Sequence, residues 1–231
     1  MKTFTLLPLA ALVAISALAP SYAVIYAASN SAIGTPGGDR FQQQVGLDYA
    51  LDVLEKGSSS FWYAFAQRNE TDRKNVTEIT VTITQSMIGI SDNVNGDIRV
   101  NSKYIGNFSG DVKEEFTGIV YYELARALQW DGQGQAPAGL LTGVADFFRL
   151  KAGYAPKQWV RFGEGMRWDE GFDVTARFLE YCDAEYEGVV VFLNSWMKFG
   201  YSANVFGECP FMLRVCLNLY VYVVCTEDIR L

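Results

Sequence analysis

GDVKEEFTGIVYYELARALQW, residues 110–130, followed by DGQGQAPAGLLTGVADFFRL, residues 131–150, is the stretch from which the fold is read. Phe116, Ile119, Val120, Leu124, Ala127 and Leu128 recur at three- and four-residue intervals, the spacing that gathers apolar side chains on one face of a helix. Asp131-Gly132 and the Gly/Gln-rich loop to Ala136 end that helix, and Pro137, tolerated in a first helical turn, opens a second one through Leu150. Two more helical patterns follow Gly171 and Gly188. Upstream the period changes to two. From Val76 to Thr84, Thr77, Ile79, Val81 and Ile83 alternate with Val76, Glu78, Thr80, Thr82 and Thr84, which predicts a half-buried strand. Asn95-Gly96 predicts a hairpin turn ahead of a strand at Asp97 to Val100, and Val24 to Ala28 reads as a further strand. Between them a helix opened by Asp39 carries apolar rows at Phe41, Val45, Tyr49, Val53 and at Leu47, Leu51, Leu54, and is expected to stop at Gly57 and the three serines after it. Strands early and helices late, with no repeat and no long linker, describe a single α+β unit: a small N-terminal mixed sheet packed on helices, with a helical C-terminal half.

The 231 residues are half apolar, 19% charged and 14% aromatic, an ordinary globular composition. A formal charge of −7 leaves no basic field for nucleic acid, so no nucleic-acid partner is expected. The chain has no histidine at all. That removes the commonest general base and metal ligand from any mechanism, and with them a His triad or a His-ligated zinc.

Residues 1–23 read as a signal peptide: Lys2, an apolar run from Leu6 to Ala19, then Ser21-Tyr22-Ala23 as the cleavage site. The run is shorter than the roughly 20 residues that a bilayer requires, so no membrane span is expected and the protein is read as extracellular. Asn69, Asn75 and Asn107 each stand in an Asn-x-Ser/Thr sequon in a stretch expected to be loop, and export makes them candidate glycosylation sites. Of four cysteines, Cys209, Cys216 and Cys225 fall near the C-terminus, while Cys182 fits a helix as a small buried residue as well as it fits a disulfide. The four allow three pairings. Residues 207–231 form a divergent, largely apolar tail that must pack or pair to avoid being an aggregation hazard.

Tyr122-Glu123-Leu124-Ala125-Arg126, then Gln129-Trp130 and Asp131-Gly132-Gln133-Gly134-Gln135-Ala136-Pro137, resemble the plant basic secretory protein family of zinc metallopeptidases, zincin-like proteins with a His-Glu-x-x-His helix at this place. The likeness continues through Gly143-Val144-Ala145-Asp146-Phe147, Arg149 to Pro156, Arg167-Trp168-Asp169 and Asp173 to Leu179, with Thr35-Pro36-Gly37-Gly38, Tyr104-Ile105 and Ser109 to Val112 upstream. It covers residues 24–206. Beyond Phe206 the sequence departs from the family's expected continuation.

The resemblance implies a zinc ion held by two imidazoles one turn apart, with the intervening Glu over a bound water whose pKa the metal lowers from about 15.7 towards 7. Here the two ligand positions hold Tyr122 and Arg126, the latter a permanent cation that repels a metal. The family's acidic ligand is matched by Thr142, and Phe172 stands where a family Tyr assists. Asp146 is the remaining candidate ligand, and Glu123 is the remnant of the general base. Otherwise Glu123 is expected to pair with Arg126 on a solvated helix face, and Asp146 to bond backbone or an arginine. Trp130, Trp159 and Trp168 are expected at the core or its rim. The reading is therefore a secreted, catalytically inactive metallopeptidase homologue without its zinc cofactor, holding a peptide or protein ligand in the inherited cleft, with the apoplastic, defence-related role the resemblance implies. Its alternatives are an active peptidase with zinc on Asp146 and Glu123, a decayed paralogue, and, less favoured, a glycosidase using those two carboxylates.

Overall fold

The computed structural model describes residues 24–202. Residues 1–23, read above as a signal peptide, the tail from 207 to 231 and the cysteines Cys209, Cys216 and Cys225 lie outside the described residues. Elements follow in the order β1 (Ile25–Asn30), α1 (Pro36–Gln44), α2 (Leu47–Ala64), β2 (Glu78–Thr84), β3 (Ser91–Val94), β4 (Asp97–Asn101), α3 (Ser102–Asn107), α4 (Val112–Leu128), α5 (Ala138–Lys151), α6 (Phe172–Glu185) and α7 (Val189–Met197). The architecture is α+β, as the periodicities predict.

Four strands form one sheet in the order β1-β2-β4-β3. β1, β2 and β4 run parallel, and β3 is an antiparallel edge strand paired to β4. The period-two stretch is β2, where Ile79, Val81 and Ile83 are fully buried and the alternate residues face outward. Asn95 and Gly96 both take positive φ, 54° and 94°, the geometry a tight two-residue hairpin demands. The turn is thus what brings β3 to the sheet edge.

The expected helix between β1 and β2 is two helices. Thr35 rather than Asp39 caps α1, its Oγ1 accepting from the Gly38 amide at 3.1 Å, while the Asp39 carboxylate accepts from the Gly34 amide at 2.8 Å and tightens the preceding turn. The break falls at Gly46, whose φ of 79° no helix accommodates. Nor do Gly57 and the serines end α2, which continues to Ala64. Gly57 is where α4 crosses, and a Cβ there would lie 2.5 Å from Leu124 Cδ1, so the glycine permits packing rather than marking a terminus. The short α3 carries no periodic signal. Asn101 caps it by accepting from the Lys103 amide at 2.9 Å, and the sequon residue Asn107 is its last residue, not a loop position.

α4 lies against α2, α5 and β3. Asp111 caps its start, accepting from the amides of Lys113 and Glu114. Phe41 meets Phe116 edge-on at 5.3 Å between centroids, and Phe61, Phe65 and Phe148 form a second aromatic group with Tyr121 stacked on Phe148. Arg149 of α5 ties to Glu115 of α4 at 3.1 Å, both largely buried, and Arg149 Nε donates to the Tyr154 carbonyl at 2.9 Å. α5 and α6 close the helical half, with Cys182 of α6 fully buried, in keeping with its reading as a small core residue. Trp168 packs on Phe178, also a core position.

α1 and α3 touch through Gly37 and Gly106. A Cβ on Gly37 would sit 1.7 Å from the Ser102 carbonyl oxygen, a clash with backbone that no rotamer relieves. Gly37→Ala is expected to destabilise the fold by about 1–3 kcal/mol or more, read as a lower midpoint in urea. An unchanged midpoint would mean that this contact is not close in solution.

Candidate functional site

A cleft of about 590 Å³ opens between the edge strand β3 and the helical half. Its lining includes Ile90, Ser91, Asp92 and Asn93 from the sheet edge, Tyr122, Glu123 and Arg126 from α4, Asp146 and Arg149 from α5, Gln158 and Trp159 from the following loop, and Phe172 and Asp173 from the start of α6. The structure thus brings Tyr122, Glu123, Arg126, Asp146 and Phe172 together. Thr142 lies one turn before Asp146 on α5, but its hydroxyl is engaged at the α5–α6 junction, donating to the Gly139 carbonyl and accepting from the Phe172 amide, both at 3.1 Å.

Glu123 is buried, at 2% exposure, and does not form the expected surface pair with Arg126. The reason is that β3 covers this face of α4. Ser91 Oγ donates to Glu123 Oε1 at 2.6 Å, and Asn93 Nδ2 donates to the Glu123 carbonyl at 2.9 Å. Oε2 is buried with no hydrogen-bond partner among the described residues. Burial pushes the Glu123 carboxyl above its ordinary range, against the Ser91 bond and the nearby Arg126 charge, both of which favour the ionised form.

Arg126 turns instead to Tyr122, donating to its hydroxyl at 3.2 Å across one helical turn. Burial pushes the Tyr122 phenol up to about 12, outweighing the Arg126 charge and hydrogen bond. Tyr122 also faces Phe172 with nearly parallel rings 6.5 Å apart. Phe172 holds φ at 48°, a region costly to a bulky side chain, and strain of this kind concentrates at clefts that bind or react.

Asp146 is 5% exposed and, contrary to the expectation of a backbone or arginine bond, its carboxyl has no hydrogen bond among the described residues. Arg149 acts on it only through charge, because the guanidinium is committed to Glu115 and the Tyr154 carbonyl. Burial raises Asp146 to about 7, opposed by Arg149 and reinforced by Asp173 and Glu123.

This donor set does not fit zinc. Tyr122 offers a phenol that stays protonated at neutral pH and Arg126 a fixed cation, Thr142 is turned to backbone, and of the four carboxyls lining the cleft Asp92 is held by Arg99 and Asp173 by backbone amides, which leaves Glu123 and Asp146. Ser91, Asn93, Arg149 and Asp173 complete the cleft and were not singled out in the sequence. The hairpin signal at Asn95-Gly96 was the available pointer to Ser91 and Asn93, since it fixes a strand immediately before it.

A second depression, of about 520 Å³, lies beside the cleft, lined by Lys74, Asn75, Val76, Thr77, Glu78, Asn93, Asn95, Arg126 and Ala127. Arg126 and Asn93 border both. Trp130 is remote from the cleft, its indole donating to the Asp72 carbonyl at 3.2 Å, whereas Trp159 stands half-buried at the cleft rim.

The cleft thus lies between an antiparallel edge strand and two helices, α4 and α5, each of which brings one buried carboxyl to it. The family model for peptidases of plants and bacteria matches residues 21–210, and the chain belongs to that family. No curated protein matches the chain, and no solved structure does.

The Asp146 carboxyl gives stability a pH dependence of definite sign. Its folded value, about 7, exceeds the ordinary carboxylate value, so the fold holds the proton more tightly than the unfolded chain does. Its contribution is complete below about pH 4 and is lost as pH rises to about 7, amounting to roughly 4 kcal/mol at most. Asp146→Asn is expected to flatten the fall in melting temperature between pH 4 and pH 8; superimposable profiles would refute the assignment.

Proposed function

We propose that this protein is a secreted, metal-free peptidase homologue whose cleft binds an extended peptide or protein segment without hydrolysing it, in an apoplastic, defence-related setting. The observation that carries the reading is the Tyr122–Arg126 contact, which fills with a phenol and a guanidinium the two positions one helical turn apart that a zinc peptidase gives to imidazoles. Without a metal to acidify it, water in the cleft is a poor nucleophile at neutral pH. Glu123, held by Ser91, keeps the position of a general base but has no activated water to serve.

Binding is supported by the edge strand. β3 pairs with β4 on one side only, and Ser91, Asp92 and Asn93 line the cleft, so an extended segment laid beside them meets strand backbone along the sheet edge. Export is supported by the N-terminal sequence and by the exposure of all three sequon asparagines, Asn69, Asn75 and Asn107, which leaves each accessible to a glycan. No helix among the described residues is long and apolar enough to cross a membrane.

Elemental analysis of the tag-free secreted protein, run beside casein proteolysis, tests the reading. Substoichiometric zinc and no chelator-sensitive cleavage are expected. One zinc per chain with chelator-sensitive cleavage would establish instead the rival in which Asp146 and Glu123 hold the metal through oxygen. A complementary gain-of-function variant, Tyr122→His with Arg126→His and Thr142→Glu, is expected to take up one zinc per chain, because the backbone that presents these positions is intact. Failure of that variant to bind zinc while folding normally would place the damage beyond the ligands.

A further inference from the structure

Two acidic oxygen groups in the cleft are left without donors. Among the described residues Glu123 Oε2 on α4 is buried and unpartnered, and the Asp146 carboxyl on α5, 5% exposed, lines the same cleft. Both residues line the same cavity. Most other charges there are already committed: Asp92 to Arg99 at 2.8 Å, Arg149 to Glu115 at 3.1 Å, and Asp173 to the backbone amides of Val160 and Val174. Arg126 donates to Tyr122. What the cleft offers an incoming group is therefore two unspent carboxyls from two helices, with aromatic rings at Tyr122, Trp159 and Phe172 around the opening.

We propose that the cleft is a primary-ammonium site, in which Glu123 and Asp146 receive a lysyl or N-terminal amine of the bound segment. This names the ligand of the binding cleft proposed above and rests on that reading. An ammonium group presents three donors on a compact point charge, which suits a cavity lined by two carboxyls and an aromatic wall. A divalent metal is disfavoured because Arg126 borders the same cavity and opposes its larger charge. The methylenes behind an amine are sheathed by apolar walls such as Ile90 and Phe172, as long cationic side chains generally are.

The probe is n-butylammonium chloride, titrated at pH 8 with chelator present into the full secreted chain. Sodium chloride and n-butanol at equal concentrations serve as references, and tryptophan fluorescence and melting temperature are the readouts. Saturable binding by n-butylammonium alone is expected, and the combined variant Glu123→Gln, Asp146→Asn is expected to weaken it at least roughly tenfold. A response no greater than that to sodium chloride or n-butanol would overturn the proposal, as would undiminished binding by the folded double variant. Peptides distinguish the source of the amine. Acetyl-Ala-Lys-Ala-amide exceeding acetyl-Ala-Ala-Ala-amide assigns the site to a lysyl group, Ala-Ala-Ala-amide exceeding it assigns the site to the N-terminus, and equality of all three overturns it. Stoichiometric zinc would overturn the metal-free reading itself, whereas a zinc-free protein deaf to n-butylammonium would overturn the ammonium site alone.

Discussion

The docking of α4 against the sheet edge rests on Glu123. Its carboxylate takes a hydrogen from Ser91 and its carbonyl takes another from Asn93, so one residue is bonded through both side chain and backbone to β3. This double attachment fixes β3 against α4 along one side of the cleft. It also explains why an acidic residue is kept where burial is costly. A carboxylate with one satisfied oxygen and one bare one is poorer than an apolar side chain as a stabilising element, and here it stands at the cleft rather than in an anonymous stretch of core. Asp146 on α5 is likewise buried, with the Arg149 charge opposing the cost of that burial.

Much of this was legible because the strongest signals are periodic. β2 announced itself by alternation, α4 and α5 by three- and four-residue spacing, and the β3–β4 hairpin by Asn95-Gly96. Where sequence reading went astray, tertiary contact had overruled local preference. Gly57 sits in the middle of α2 because Leu124 needs the space, although glycine followed by serines ordinarily ends a helix. The short α3 exists through a cap at Asn101 and a close approach to α1, neither of which leaves a periodic trace.

The site was legible in its principal residues and not in their partners. Motif spacing identified Tyr122, Glu123, Arg126 and Asp146, and the structure gathers them around one cavity. What spacing could not supply was the environment of each. An i,i+3 acid–base pair reads as a surface feature until β3 is placed across it, and the same strand then converts Glu123 from a solvated charge into a buried one. Asp146 likewise sits beside Arg149 in sequence, yet the guanidinium is drawn away by Glu115 and the Tyr154 carbonyl. At the two positions one helical turn apart the cleft presents the Tyr122 phenol and the Arg126 guanidinium.

Arg126 borders two depressions at once, and its side chain is exposed and held by a single neutral acceptor. An acidic visitor beside Lys74 and Asn75 that captured it would strip the neighbouring hollow of its positive rim and leave it more electronegative. The two depressions therefore share one fixed positive charge, so the electrostatics of each is set in part by a residue that also belongs to the other.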